Sequence, residues 1–184
     1  MNLRACMLTL ITGCLLISCG NDAADQTPGE AVSAAQTEST LFAALPADDT
    51  PDEKTFQTLD GRGFDVEFLN GKKVFVNFWA TWCAPCIREI PSINRAAEAL
   101  ASEGFDFIFV SDEDVETIND FLTEREFDGN FVKLNGYFAN YGIGAVPSSW
   151  LLDENGDLVA TWAGAYEWDS DEMLSEIRNP PIEE

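Results

Sequence analysis

An apolar run, Val74-Phe75-Val76-Asn77-Phe78-Trp79, passes through Ala80-Thr81 into Trp82-Cys83-Ala84-Pro85-Cys86, and a helical pattern begins at once. Few local folds accept a strand that ends in a Cys-x-x-Cys turn and feeds a helix. The arrangement sets the first sulfur at the helix N-terminus, where unpaired backbone N–H groups and the macrodipole favour a thiolate. Because the thiolate is the nucleophile in disulfide exchange, the pattern points to a redox dithiol.

The surrounding periodicity supplies the rest of the unit. Thr55 to Leu59 and Phe64 to Leu69 alternate as a small hairpin around Gly61-Arg62-Gly63. Lys73 to Trp79 reads as a buried strand from its near-continuous apolar run. Cys83 to about Ser102 is predicted helical, with Ile87, Ile90, Ile93, Ala97 and Leu100 on one face and Pro91 as a kink within it. Phe105 to Ser111 is a second buried strand. Val115 to Glu126 is an amphipathic helix through Val115, Ile118, Phe121 and Leu122, and Asn130 to Leu134 is a short strand. Tyr137 to Tyr141 reads as a helical turn. Ser148 to Asp153 and Leu158 to Trp162 pair across the Asn155-Gly156 turn, and Ser170 to Arg178 closes as a helix. Strands alternating with helices, then a hairpin and a helix, describe an α/β fold with a mixed sheet and helices on both faces.

Other uses of a Cys-x-x-Cys pair fit less well. Structural zinc needs about four ligands, and the chain has no histidine and no second cysteine pair of this kind. Haem attachment needs histidine directly after the second cysteine, where Ile87 stands. A purely structural disulfide closing so short a loop removes little entropy from the unfolded chain. No metal and no cofactor is therefore expected.

The chain has five cysteines, and Cys6, Cys14 and Cys19 lie in the first 20 residues. Arg4 precedes an uncharged, mostly apolar stretch from Met7 to Ile17, which is short for a bilayer span. The stretch ends in Leu16-Ile17-Ser18-Cys19-Gly20, which resembles the lipobox of bacterial lipoproteins. On that resemblance residues 1–18 are a signal peptide, Cys19 receives the lipid, and only Cys83 and Cys86 remain able to pair. An ordinary signal peptide or an uncleaved anchor are the alternatives, and both also place the remainder outside the cytoplasm. Residues 19–50, rich in Ala, Asp, Glu, Thr, Ser and Gln, read as the lipidated cysteine and a flexible acidic tether. Residues 51–182 are long enough for one domain with a real core.

Ten Lys and Arg against 33 Asp and Glu give a net charge of -23, which disfavours nucleic acid and adsorption to anionic lipid. The run Asp112-Glu113-Asp114 with Glu116 lacks the glycine and spacing of a calcium loop and reads as a solvated loop. Asp153-Glu154-Asn155-Gly156-Asp157 reads as a turn.

Val76-Asn77-Phe78-Trp79-Ala80-Thr81-Trp82-Cys83-Ala84-Pro85-Cys86, with Glu89 and Pro91 and the later Gly144-Ala145-Val146-Pro147, resembles the thioredoxin fold. Within that fold it is similar to the membrane-tethered, extracytoplasmic thiol-disulfide oxidoreductases of the TlpA/ResA type. The resemblance covers about residues 51 to 180. It implies a central mixed β-sheet flanked by helices with an N-terminal β-hairpin extension, and a Cys83–Cys86 disulfide that forms and breaks in the catalytic cycle.

The same resemblance assigns roles. Cys83 is the exposed attacking sulfur and Cys86 the buried one that resolves a mixed disulfide. Pro147 is a cis proline facing the dithiol, which leaves the Val146 backbone to pair with an extended substrate, while Trp82, Ala84 and Pro85 contact it. Glu89 manages protons near the dithiol, although a first-turn Glu also stabilises a helix dipole. Asn77 stands where thioredoxin carries a buried Asp, which leaves Glu89 the better proton acceptor. Trp79 and Trp82 frame the active-site surface or pack in core or rim, and Trp150, Trp162 and Trp168 are packing. The absence of histidine between the sulfurs favours a reductant. The expected partners are disulfide-containing exported proteins, c-type apocytochromes among them, a membrane electron donor, and the membrane itself through Cys19. A disulfide oxidase or isomerase on the same fold, or a redox-inert binding or metallochaperone module, are the alternative functions.

Overall fold

The computed structural model describes residues 54–125 and 127–181. The signal peptide, Cys19 and the tether expected at 1–18 and 19–50 lie outside the described residues. Among the described residues no helix is long and apolar enough to cross a membrane.

Seven strands form one sheet: β1 (Phe56–Thr58), β2 (Gly63–Phe64), β3 (Lys73–Phe78), β4 (Phe105–Ser111), β5 (Asn130–Leu134), β6 (Ser148–Leu152) and β7 (Leu158–Ala163). Their spatial order is β2-β1-β5-β4-β3-β6-β7. β3, β4 and β5 run parallel, and the remaining neighbours are antiparallel. The parallel strands are linked by α1 (Ala84–Leu100) and α2 (Val115–Arg125), and α3 (Asp171–Arg178) follows β7. The result is the expected thioredoxin-like arrangement, a mixed sheet flanked by helices.

Alternation along β3 divides the core. Phe75 and Trp79 point to one face and Val74, Val76 and Phe78 to the other. The first face receives the buried residues of α1, α2 and α3, including Ile90, Ile93, Ile118, Leu122, Met173 and Ile177. The second is covered instead by the single-turn 3-10 segments Val66–Leu69 and Phe138–Tyr141 and their neighbours. The sequence placed helices on both faces; the α-helices pack on the first, and short 3-10 turns cover the second, because the links that reach it are too short for a helix the length of α1.

Local differences follow from the same packing. The strand expected from Phe64 to Leu69 stops at Phe64, and a 3-10 turn then carries Leu69 into the second face. α1 runs across Pro91, whose exposed ring lies away from the core. Its buried face is Cys86, Glu89, Ile90, Ser92, Ile93, Ala96 and Leu100, while Ile87 and Ala97 are half-buried. The helix is therefore rotated slightly from the all-aliphatic stripe, and one carboxyl is turned inward. Asp153 closes the β6–β7 turn by accepting from the Asn155 and Asp157 amides at 2.8 and 3.0 Å. Among the described residues no cluster of acidic or cysteine side chains could hold a metal.

Candidate active site

β3 ends at Phe78, and the Trp79 amide donates to the Val110 carbonyl at 3.0 Å, so the chain leaves the sheet only at Ala80. A turn closes there through the Cys83 amide and the Ala80 carbonyl. Cys83 is the N-cap of α1: its Sγ accepts from the Cys86 amide at 3.3 Å, and Pro85 occupies the first turn, where a missing N–H costs nothing. Cys83 and Cys86 form a disulfide with an S–S distance of 2.05 Å.

Cys83 was expected to be exposed, yet in this disulfide it retains only 4% of its surface and Cys86 none. The neighbouring Trp82, Ala84 and Pro85 take the solvent positions. Trp79 and Trp82 separate completely. Trp79 is buried against Phe121 and Phe131 with ring centroids 5.5 and 5.3 Å away, whereas Trp82 is 72% exposed.

Ser148 pairs with Phe78, so Val146 and Pro147 continue past the end of β3 from which the dithiol loop emerges. The Val146–Pro147 peptide bond is cis, Pro147 is buried and Val146 half-buried. Regular ladder pairing begins only at Ser148.

Glu89 lies beyond the first turn of α1 and is 3% exposed, so it is no surface dipole partner. Its Oε1 accepts from Asn77 Nδ2 at 2.9 Å, and its Oε2 from Trp168 Nε1 at 2.9 Å and the Tyr166 amide at 3.2 Å. Burial pushes the Glu89 carboxyl above the usual carboxylate range, against the lowering effect of these three donors. Asn77 Nδ2 also donates to Ser149 Oγ at 3.0 Å, while Asn77 Oδ1 is buried with no partner. Ser92 fixes the distal side: its Oγ donates to the Glu89 carbonyl at 2.8 Å and accepts from the Trp168 amide at 3.2 Å.

Trp168, Ser92 and Ser149 were not singled out by the sequence. Trp168 is not mere packing: it reaches the carboxyl from the segment between β7 and α3, 79 residues away in the chain. No local pattern marks such a contact. The acidic run is not simply solvated either. Glu113 accepts from the Thr81 amide and hydroxyl, both at 2.7 Å, and Asp112 accepts from the Phe138 amide at 3.1 Å.

A parallel-centred sheet with a cysteine pair capping the helix after β3, and a cis proline opening the adjacent antiparallel strand, defines the thioredoxin-like class. The chain belongs to the Redoxin family, which it matches over residues 43–177. It is 33% identical over 104 residues to the thiol-disulfide oxidoreductase ResA of Bacillus thuringiensis (strain Al Hakam), a match covering 55% of this chain and 60% of that relative. ResA of Halalkalibacterium halodurans is 29% identical over 127 residues, 67% of this chain and 72% of the relative. Among solved structures, a thiol:disulfide interchange protein of the thioredoxin family from Chlorobium tepidum TLS superposes with a TM-score of 0.52 at 27% identity, covering 72% of this chain and 98% of that one. StoA from Bacillus subtilis gives a TM-score of 0.55 at 23% identity over 68% of this chain and 95% of that one, a likeness of fold.

Proposed function

We propose that the protein is a thiol-disulfide oxidoreductase that reduces disulfides of exported proteins, c-type apocytochromes among its substrate classes. The observation that carries this reading is the Cys83–Cys86 disulfide at the N-terminus of α1, with the buried Glu89 carboxyl three residues further along the same inward face. Residues three apart on a helix are surface neighbours. The names of the ResA relatives support the same chemistry.

In the reduced protein the Cys83 thiolate, favoured by the free N–H groups of α1, attacks one sulfur of a substrate disulfide. The Cys83–substrate bond forms, the substrate S–S bond breaks, and one substrate sulfur leaves as thiolate. Cys86 passes its proton to Glu89 and its thiolate attacks Cys83 Sγ. The Cys83–Cys86 bond then forms, the mixed disulfide breaks and the second substrate thiolate leaves. The two leaving thiolates take up protons from Glu89 and from water, and two electrons have moved from the dithiol to the substrate. Trp82, Ala84 and Pro85 present the exposed rim, and an extended substrate segment pairs with the Val146 backbone beside Pro147. A membrane electron donor returns the two electrons, a need set by an oxidising compartment. The domain works at the extracytoplasmic face, held through lipidated Cys19 and the 19–50 tether.

The test is the reduction potential of the pair, measured on the full chain in graded thiol-disulfide buffers with the Cys83→Ser/Cys86→Ser variant as the blank for the other three cysteines. A value near about -270 mV supports a reductase, and one near about -120 mV moves the assignment to a disulfide-forming oxidant. Absence of any reversible two-electron couple overturns the exchange reading.

A further inference from the structure

The parallel strands β3, β4 and β5 end at one edge of the sheet, and the segments that follow them are tied together there. Glu113, after β4, holds the Thr81 amide and hydroxyl of the dithiol loop and also accepts from Ser111 Oγ at 3.0 Å. The adjoining Asp112 holds the Phe138 amide, in the segment after β5. Phe138 is fixed a second time by its ring, edge-on to Phe78 with centroids 5.9 Å apart.

Each anchored residue has an exposed aromatic neighbour in the chain. Trp82 follows Thr81 and is 72% exposed, and Tyr137 precedes Phe138 and is 73% exposed. These are the two most exposed large apolar side chains among the described residues. Single exposed aromatics are ordinary. Two that flank one pair of carboxylates, each beside a backbone amide those carboxylates hold, are less so. Their backbone ordering is already met within the fold, and an aromatic side chain has only two torsions left to lose on contact.

We propose that Tyr137 is a specificity-determining residue of the exchange reaction. With Trp82 it contacts the polypeptide that carries the target disulfide, and Asp112 and Glu113 are the positioning residues that hold the backbone from which the two rings project. The inference rests on the reading of Cys83 and Cys86 as the exchanging pair. A free small disulfide lacks the flanking side chains to engage both rings, whereas an extended polypeptide has them, so the device discriminates in favour of protein disulfides.

The experiment measures kcat/KM of the full chain for insulin and for oxidised glutathione, with dithiothreitol recycling the dithiol, and takes the ratio of the two. Any inactive fraction cancels in that ratio. In Tyr137→Ala the ratio falls about tenfold, mainly through KM for insulin, as truncating an aromatic contact implies. Tyr137→Phe keeps the ratio within about twofold of wild type, and Glu113→Gln lowers it in the same direction as Tyr137→Ala. An unchanged ratio in Tyr137→Ala overturns the proposal. A fall in Tyr137→Ala with none in Glu113→Gln removes the positioning role of Glu113. If the wild-type chain reduces neither substrate, the exchange reading itself has failed, and the specificity assignment goes with it.

Discussion

Replacing Trp168 by Phe removes one donor from Glu89 while leaving an aromatic ring in the core. Trp168 is fully buried, edge-on to Phe75 and Trp162 with ring centroids 4.7 and 5.6 Å away, so the smaller ring leaves a cavity that costs roughly 1–2 kcal/mol at any pH. The lost hydrogen bond behaves differently. It is worth about 1 kcal/mol to a neutral carboxyl but about 1.5–3 kcal/mol to a carboxylate. Because the folded-state pKa of Glu89 is raised by burial, the native protein binds more protons than the unfolded chain between the two values. Stability from this group is therefore fully present below the unfolded value and is lost as pH rises through the folded one. Removing the Trp168 donor raises the folded value further, so Trp168→Phe destabilises the protein by roughly 1 kcal/mol more on the alkaline side. Urea unfolding of the full chain, followed by far-UV circular dichroism at about pH 4, below the ordinary carboxyl value, and at about pH 8, reads this difference. Glu89→Gln is the partner in a double-mutant cycle. Its amide fits because its oxygen can face Trp168 and Tyr166 while its NH2 faces Asn77, whose turned amide offers Oδ1. Equal destabilisation by Trp168→Phe at both pH values, or a pH-dependent part that survives in the Glu89→Gln background, refutes the reasoning.

Asn77→Asp sets a carboxylate where Asn77 Nδ2 now stands 2.9 Å from Glu89, and two carboxyls so close share one proton. The variant should lose roughly 2–4 kcal/mol at neutral pH and recover much of it on acidification, a steeper pH slope in urea midpoints than wild type shows. Gly129→Ala should cost about 2–3 kcal/mol, because φ is +143° there and the added Cβ would lie 2.7 Å from Phe109 Cε2 in a stacked pair with Phe131. Gly156→Ala, at φ +83° and facing only the end of the Asn70 side chain, should cost about 1 kcal/mol, and thermal melts that reverse this order would contradict the packing argument. Cys19→Ser should move the exported chain from the detergent phase to the aqueous phase on Triton X-114 partition; unchanged partition would remove the lipid from the proposal.

The strand-turn-helix unit was legible because its signals are local: an apolar run of period one, a cysteine pair at the next turn, and an amphipathic helix. The β6–β7 pair was legible for the same reason, since Asn155-Gly156 sits between two apolar runs. The Glu89 site was legible only in part. Position along the helix marked Glu89 as close to Cys86, but its burial depends on Asn77 from β3 and on Tyr166 and Trp168 from beyond β7. Those contacts span 12 to 79 residues and leave no periodic trace. The acidic run after β4 misled for a related reason. Charge density predicts solvation on average, but Glu113 finds the Thr81 amide and hydroxyl through the parallel pairing of β3 with β4.

The donors around Glu89 are all neutral, and that bears on what the carboxyl can do. An Arg or Lys partner would hold Glu89 ionised through the whole physiological range. Asn77, Trp168 and the Tyr166 amide instead offset only part of the burial cost, and the carboxyl stays above its ordinary range. Oε2 faces two N–H groups that can only donate, which assigns any bound proton to Oε1. Oε1 faces Asn77, the one partner able to reverse its role. Asn77 Nδ2 donates to Glu89 and to Ser149 Oγ in this structure; with its amide turned, Oδ1 would accept from the protonated carboxyl and from the Ser149 hydroxyl, two bonds that an Asp in the same place could supply only by bringing a second charge. On the proposed mechanism Glu89 must gain a proton when Cys86 attacks and lose it when product thiolate leaves. An amide at residue 77 lets it do both without adding a second carboxylate to the core.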